Sequence, residues 1–355
     1  MNEARLPVLI VSGFLGSGKT TLLRQALGDP RFERSLVIVN EAAPLGIDDR
    51  LLRAVTNGPV ALLGSGCLCC VVQDDLKRSL LEVVDDQSLA GRVDRVVIET
   101  SGLADPVSVI ATLSAHPRLT ARLRLQAVAS TVDALHAESQ LEESPEFAAQ
   151  VQCADLLLVT KSDLAGAERA HAVSGLVGSM NPLATVIDRA DRPIEALLHA
   201  SSRFTTGPPA SRWLPYADPG QSDNDYVRLA RVGGSARDRH TRGVAAFAIA
   251  VSRRLDWVAF STWLSLLVHA HGPKLLRIKG VIDVADGETP VVVNVVRHVV
   301  HFPEHLAEAS VAPGESRLVF LVRDIAPAEM LRSMSAFVGE GCRLASEARF
   351  PAPPG

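Results

Sequence analysis

Lysine is scarce in this chain. Only five of its 36 basic residues are lysine (Lys19, Lys77, Lys161, Lys274 and Lys279), and arginine supplies the rest. Where a plain positive charge suffices the sequence uses arginine, so each lysine carries information about its position. A large excess of one charge is also lacking: the formal net charge is −4. That balance does not suggest the basic coat of a nucleic-acid binder or the polybasic face of a membrane-surface protein. Long apolar runs are missing, and no stretch reaches the roughly 18 residues of a membrane span. The first apolar run, Val8 to Phe14, is only strand length and follows a short mixed segment, Met1 to Pro7, unlike a signal peptide. The expectation is a cytoplasmic protein with neither a membrane nor a nucleic acid as partner. Cysteine is sparse and unevenly spread: of five, Cys67, Cys69 and Cys70 fall together, while Cys153 and Cys342 stand alone. An odd count with one tight cluster excludes a secreted disulfide framework. In a reducing cytosol such a cluster points to metal binding or redox chemistry.

What is present is an ordinary globular composition, 47% hydrophobic and 21% charged, over 355 residues. That length exceeds what one core usually serves, so two domains are expected. Over residues 1–200, apolar strand-length runs alternate with segments of helical spacing. The strand runs are Leu6–Ser12, Ser35–Asn40, Arg95–Glu99, Ala127–Val132 and Asp155–Thr160. The helical spacing is clearest over Lys19–Leu27 and over Asp74–Val84. Continuous apolar strands between helices predict an α/β domain with a mostly parallel sheet covered on both faces. Ligands then bind at the carboxyl ends of the strands. Residues 201–243 carry Gly207-Pro208-Pro209, Asp218-Pro219-Gly220 and Gly233-Gly234, and read as a linker. Residues 244–345 read as a smaller α+β domain with a largely antiparallel sheet. Its strands are expected at Val244–Val251, Leu275–Val284, Val291–Val300 and Arg317–Val322, and its helices at Asp256–Ala270 and Ala328–Val338.

Gly13-Phe14-Leu15-Gly16-Ser17-Gly18-Lys19-Thr20 fits G-x-x-x-x-G-K-[ST] between a strand and a helix. A chance match in a chain this long is on the order of 1 in 100 at average residue usage. Glycines let the backbone curl its N–H groups toward phosphate oxygens, and the following helix adds its dipole. Gly13, Gly16, Ser17, Gly18, Lys19, Thr20 and Thr21 are therefore the expected triphosphate site. Lys19 would reach the outer phosphates and the Thr20 hydroxyl would ligate Mg²⁺. Val96-Val97-Ile98-Glu99 delivers a carboxylate to the same edge, where Glu99 can hold a water on Mg²⁺ or position the attacking water. The competing reading is a strand-end acid facing solvent.

Thr160-Lys161-Ser162-Asp163 is similar to the N-K-x-D signature of GTPases. A carboxylate at Asp163 can accept from guanine N1–H and N2–H₂, and the Lys161 stem can lie over the base. Two of the five lysines thus fall at two motif positions. The departure is Thr160 in place of asparagine, where a hydroxyl can still tether the neighbouring loop. Asp133, ending the fourth strand, is placed either near the nucleotide or as a helix cap.

In Gly66-Cys67-Leu68-Cys69-Cys70, two or three thiolates can converge on one soft ion such as Zn²⁺, and a tetrahedral site takes one further ligand. Small buried residues in a tight turn are the competing reading. His269 and His271, and the group His298, His301 and His305, are weaker candidates for ligands or docking.

The phosphate loop, G-C-L-C-C, E-T-S-G-L-A-D-P over Glu99–Pro106 and T-K-S-D occur here in the order found in the CobW-like GTPases, which the chain resembles. That family belongs with UreG- and HypB-type metallochaperone GTPases. Leu275-Leu276-Arg277-Ile278-Lys279-Gly280 and Ser316-Arg317-Leu318-Val319-Phe320 are similar to its C-terminal domain. The resemblance implies GTP hydrolysis with Mg²⁺, coupled to delivery of Zn²⁺ or Co²⁺ to a client metalloprotein. It implies Lys19 and Glu99 as catalytic groups, Cys67, Cys69 and Cys70 as metal thiols, and a possible homodimer. Where the family carries N-E-F-G-E, this sequence has Asn40-Glu41-Ala42-Ala43-Pro44, so an acid becomes proline and a glycine becomes alanine. Some relatives have an acid before the asparagine, and here it is Val39. The linker offers only His240 in place of a histidine-rich tract. Two other classes stay open: a nucleotide-dependent regulatory switch with structural or redox thiols and no metal delivery, and a P-loop kinase that does not need the cysteines.

Overall fold

The computed structural model of the protein describes residues 5–40, 60–62, 70–86, 89, 91–188, 193–205, 227–228, 243–287, 289–305 and 314–345. The chain divides into two compact units, residues 1–180 with 184–201, and residues 181–183 with 202–355.

The first unit holds strands β1 (Leu6–Gly13), β2 (Ser35–Asn40), β3 (Val60–Leu62), β4 (Arg95–Thr100), β5 (Leu123–Asp133), β6 (Leu156–Thr160) and β7 (Thr185–Asp188). They form one parallel seven-stranded sheet in the order β3-β2-β4-β1-β5-β6-β7. From β1 the chain builds one side of the sheet with β2, β3 and β4 and the other with β5, β6 and β7. The carboxyl end of β1 is therefore the topological switch point, where such sheets bind ligands.

The helices are α1 (Lys19–Leu27), α2 (Cys70–Asp85), α3 (Pro106–Ala115), α4 (Pro117–Arg122), α5 (Ala137–Glu143), α6 (Pro145–Cys153), α7 (Ser162–Ala165), α8 (Ala167–Met180) and α9 (Pro193–Thr205). They cover both faces, which is why the strands are apolar throughout. Along β6, Leu156 and Leu158 enter a core with Leu22, Leu23 and Leu197, while Leu157 and Val159 enter another with Phe147, Val173 and Val177. Each such fully buried side chain stabilises by roughly 1.5–3 kcal/mol.

The expected strands and helices are found, with differences at their ends and one split: the run Val291–Val300 folds back on itself as two antiparallel strands, Val291–Val296 and Val299–Val300, turning at Arg297, whose φ is 51°. β5 starts at Leu123, not Ala127, because Leu123-Arg124-Leu125-Gln126 interleaves polar with apolar residues, is only partly buried at Arg124 and Leu125, and so lacks the continuous apolar run. α2 starts at Cys70, four residues before the periodic stretch, through Val71 and Val72, whose branched side chains are weak helix formers. α9 runs to Thr205, and a two-residue strand, β8 (Val227–Arg228), lies inside the segment read as linker.

The second unit is α+β with a largely antiparallel sheet, as expected. β8 and β9 (Val244–Val251), β10 (Leu275–Ile282), β11 (Val291–Val296), β12 (Val299–Val300), β13 (Glu304–His305), β14 (Ser316–Arg323) and β15 (Cys342–Ala345) make one antiparallel sheet with the main order β12-β11-β10-β14-β9-β15. Helices α10 (Trp257–His271) and α11 (Pro327–Val338) supply Phe260, Trp263, Met330 and Met334 to the core shared with Phe247 and Phe320 of the sheet. Phe247 stacks on Phe320 at 5.1 Å between ring centroids. Among the described residues, no helix is long and apolar enough to cross a membrane.

Candidate functional site

The loop after β1 turns on three glycines with positive φ: Gly13 at 137°, Gly16 at 69° and Gly18 at 92°. At Gly13 the need is steric as well. A Cβ there would lie 2.3 Å from Thr131 Oγ1, 2.5 Å from the Thr131 carbonyl oxygen and 2.8 Å from Ser17 Oγ. The loop is pinned at its base, where the Ser17 hydroxyl donates to the Phe14 carbonyl at 2.7 Å and lies 2.7 Å from the Thr131 hydroxyl. Lys19, buried at the start of α1, donates from Nζ to the Gly13 carbonyl at 2.9 Å and the Phe14 carbonyl at 3.1 Å. Its ammonium thus spans the loop. Among the described residues, the amides of Leu15, Gly16 and Gly18 have no protein acceptor. That is the donor array a phosphate group needs.

Thr20 follows on the first turn of α1, and its Oγ1 donates to Glu99 Oε1 at 2.8 Å. Glu99 reaches it from the end of β4, which pairs directly with β1. Glu99 is 5% exposed, so the strand-end acid does not face solvent. A hydroxyl beside a carboxylate is a hard oxygen donor set of the kind that suits Mg²⁺. Thr21, next along, is exposed.

β6 delivers the third element. Thr160, fully buried, has its Oγ1 2.8 Å from the Ser17 carbonyl oxygen and 3.1 Å from the Val132 carbonyl oxygen. The hydroxyl that replaces asparagine therefore ties β6 to the phosphate loop. Lys161 adopts the left-handed conformation, φ 59°, unusual for a residue with a side chain. Its Nζ donates to Asp133 Oδ2 at 2.7 Å. Asp133 also accepts the Leu135 amide on Oδ1 and approaches His136 Nδ1 at 2.9 Å. Burial pushes the Asp133 carboxyl up, but the hydrogen bonds from Lys161, His136 and the Leu135 amide outweigh it and hold the group below the usual carboxylate range. Asp133 is thus the counter-ion that places Lys161 as well as the cap of the turn after β5. Asp163 is exposed in the first turn of α7.

Two contacts beyond the motifs complete the site. The segment after β4 packs on the phosphate loop, since a Cβ on Gly102 would lie 2.7 Å from Leu15 Cδ2 and 2.8 Å from the Leu15 backbone. Gln150 of α6 donates from Nε2 to the carbonyls of Gly102 and Ala104, each at 3.0 Å. Nothing local in Glu146-Phe147-Ala148-Ala149-Gln150 marks that glutamine.

The structure brings Gly13, Gly16, Ser17, Gly18, Lys19, Thr20 and Glu99 together at one sheet edge, and Thr160 links the Lys161 segment to them. Cys67 and Cys69 lie outside the described residues, as do 41–59 and His240; Cys70 opens α2. Among the described residues, no group of three His, Cys, Asp or Glu side chains could hold a metal ion. His269, His271, His298 and His305 are exposed.

Residues 7–188 match the family model described as CobW/HypB/UreG, nucleotide-binding domain. Residues 244–338 match the cobalamin synthesis protein cobW C-terminal domain. The zinc chaperone YjiA of Escherichia coli is 37% identical over 185 residues, covering 51% of this chain and 57% of that protein. The zinc chaperone CobW of Pseudomonas aeruginosa is 35% identical over 228 residues, covering 55% of this chain and 60% of that protein. The zinc-regulated GTPase metalloprotein activator 1 of Schizosaccharomyces pombe is 31% identical over 189 residues, covering 52% and 45%. The chain thus spans about half the length of the curated relatives it matches. The crystal structure of Zn(II)-bound YjiA GTPase from E. coli is similar in fold, with a TM-score of 0.60 over 94% of this chain and 99% of that one at 22% identity.

Proposed function

The chain belongs to the CobW/HypB/UreG family, and on that premise we propose that it hydrolyses GTP to GDP and phosphate in order to hand a divalent metal ion, zinc or cobalt, to a client metalloprotein. The nucleotide would occupy residues 1–200 and the CobW-type domain residues 244–345, joined by 201–243. Cytoplasmic residence, a homodimer and a client partner complete the proposal.

The observation that carries the reading is the convergence of a glycine-built amide loop, a buried lysine and a Thr20–Glu99 pair at 2.8 Å on the switch point of a parallel sheet. The residues fit a nucleoside triphosphate with its cation. The amides of Leu15, Gly16 and Gly18 would cradle the inner phosphates on the loop that Gly13 and Ser17 shape, and Lys19 would turn from the loop carbonyls to the outer ones. Thr20 and Glu99 would hold Mg²⁺, which would neutralise the charge of the outer phosphates. Glu99 would also orient the water that adds to the terminal phosphorus as the bond to the β-phosphate oxygen breaks. Thr21 closes the cradle. Lys161, braced by Asp133, would lie over the base, and Asp163 would accept from the two guanine N–H groups. Cargo would be held by soft donors, for which Cys67, Cys69 and Cys70 are the candidates, and its binding would be coupled to that of the nucleotide.

The test is phosphate release from GTP and ATP by the reduced full chain. Turnover of GTP that Lys19→Ala abolishes, with ATP poorly used, supports the reading. Transfer of the phosphoryl group to a small molecule in place of free phosphate would replace it with the kinase.

A further inference from the structure

We infer that Gln150 is a positioning residue for the terminal phosphate, holding the Gly102 peptide at the mouth of the phosphate loop; the inference rests on the nucleotide reading above. Glu99 stands at Thr20, the cation side of the site, and three residues later Gly102 lies against Leu15 at the apex of the loop. The backbone between them crosses the loop mouth. A phosphate beyond those cradled by the loop would meet this crossing. Among the described residues, the Gly102 N–H has no protein acceptor.

The crossing is a turn closed by the Ala104 amide on the Ser101 carbonyl at 3.0 Å. Its two outward carbonyls, Gly102 and Ala104, are both taken by the single NH₂ of Gln150 at 3.0 Å. Two carbonyls facing one amide fix its orientation, since only the nitrogen can donate. That sends Oε1 the other way, where it is buried without a hydrogen-bond partner among the described residues. A buried acceptor left unmatched is a standing cost, tolerated where the donor side gains more. Gln150 is 1% exposed on a nine-residue helix buried from Phe147 to Cys153, so the anchor is rigid. One turn earlier on the same face, Phe147 meets Phe14 of the phosphate loop edge-on at 6.5 Å. α6 thus grips both the loop and the crossing, and fixes the distance between them. That distance decides whether a third phosphate finds the Gly102 amide, and a diphosphate does not depend on it.

The experiment uses the full chain and Gln150→Met, which keeps volume and removes both donors. GDP affinity should stay within about twofold, while affinity for a non-hydrolysable GTP analogue falls about tenfold, a typical coupling between a ligand and one conformation. A stable Gln150→Met protein with an unchanged ratio of the two affinities overturns the inference. Should the variant not fold, hydrogen exchange of residues 101–105 in the wild type decides. Protection by the analogue beyond that by GDP supports the inference, and equal protection overturns it. A wild type that binds no guanine nucleotide fails before any variant is made, and sinks the nucleotide reading itself.

Discussion

Lys161, held in a left-handed backbone conformation, places its ammonium 2.7 Å from the carboxylate of Asp133, which is almost completely buried. The strain of the one is sustained by the ion pair of the other. Removing the carboxylate charge with Asp133→Asn should cost about 1–3 kcal/mol, the usual penalty for unmaking a buried charged hydrogen bond. Guanine nucleotide affinity should fall with it, because the Lys161 stem loses its brace. Urea unfolding and nucleotide titration on the same preparation check both.

The same pair gives a pH dependence. Asp133 titrates below the usual carboxylate range in the folded protein. Its contribution is therefore complete above the unfolded carboxylate pKa of about 4 and fades as pH falls through the lower folded value. The stability difference between wild type and Asp133→Asn should be constant from neutral pH down to about 4 and shrink below it. A difference that grew toward low pH would contradict the assignment.

Gly13→Ala should destabilise by about 3 kcal/mol, since the methyl meets Thr131 in a backbone region that disfavours side chains. Thr131→Ala should not rescue it. It removes the hydroxyl at 2.3 Å but leaves the Thr131 carbonyl oxygen at 2.5 Å. A double variant as stable as Thr131→Ala alone would show that the loop has moved.

Glu99→Gln keeps an acceptor for the Thr20 hydroxyl while removing the charge. Folding should be nearly unchanged and phosphate release should drop about 100-fold or more, as for loss of a positioned catalytic carboxylate. Thr160→Val tests the tether: losing the hydroxyl that faces the Ser17 and Val132 carbonyls should cost about 1 kcal/mol. A Thr160→Val melt identical to wild type would mean the tether contributes nothing.

The parts legible in the sequence were those written in adjacent residues. The phosphate loop, the acid ending an apolar strand and the lysine after another are local patterns, and local geometry follows from them. What was not legible is tertiary. Asp133 and Lys161 meet because β5 and β6 lie side by side, with Asp133 opposite Thr160; spacing along the chain does not announce a pair. Gln150 sits among buried residues of a short helix and looks like a core position until its acceptors on the β4 side are seen. Edge strands were also hidden. β3 has only three residues, Val60–Leu62, and β7, Thr185–Asp188, is half-buried along its length, so neither makes the continuous apolar run of a central strand. The cysteine motif is the reverse case, sharp in sequence, with Cys67 and Cys69 outside the described residues.

On the proposed function, a thiolate-held metal ion and the guanine nucleotide would act on one another in this chain. The direct measurement is titration of the reduced full chain with Zn²⁺ and Co²⁺, with and without a non-hydrolysable GTP analogue. The expected result is one site with a thiolate-to-cobalt absorption band, whose affinity shifts with nucleotide by the same factor that metal shifts nucleotide affinity. No thiolate band in either state, or metal and nucleotide affinities that ignore each other, would contradict it.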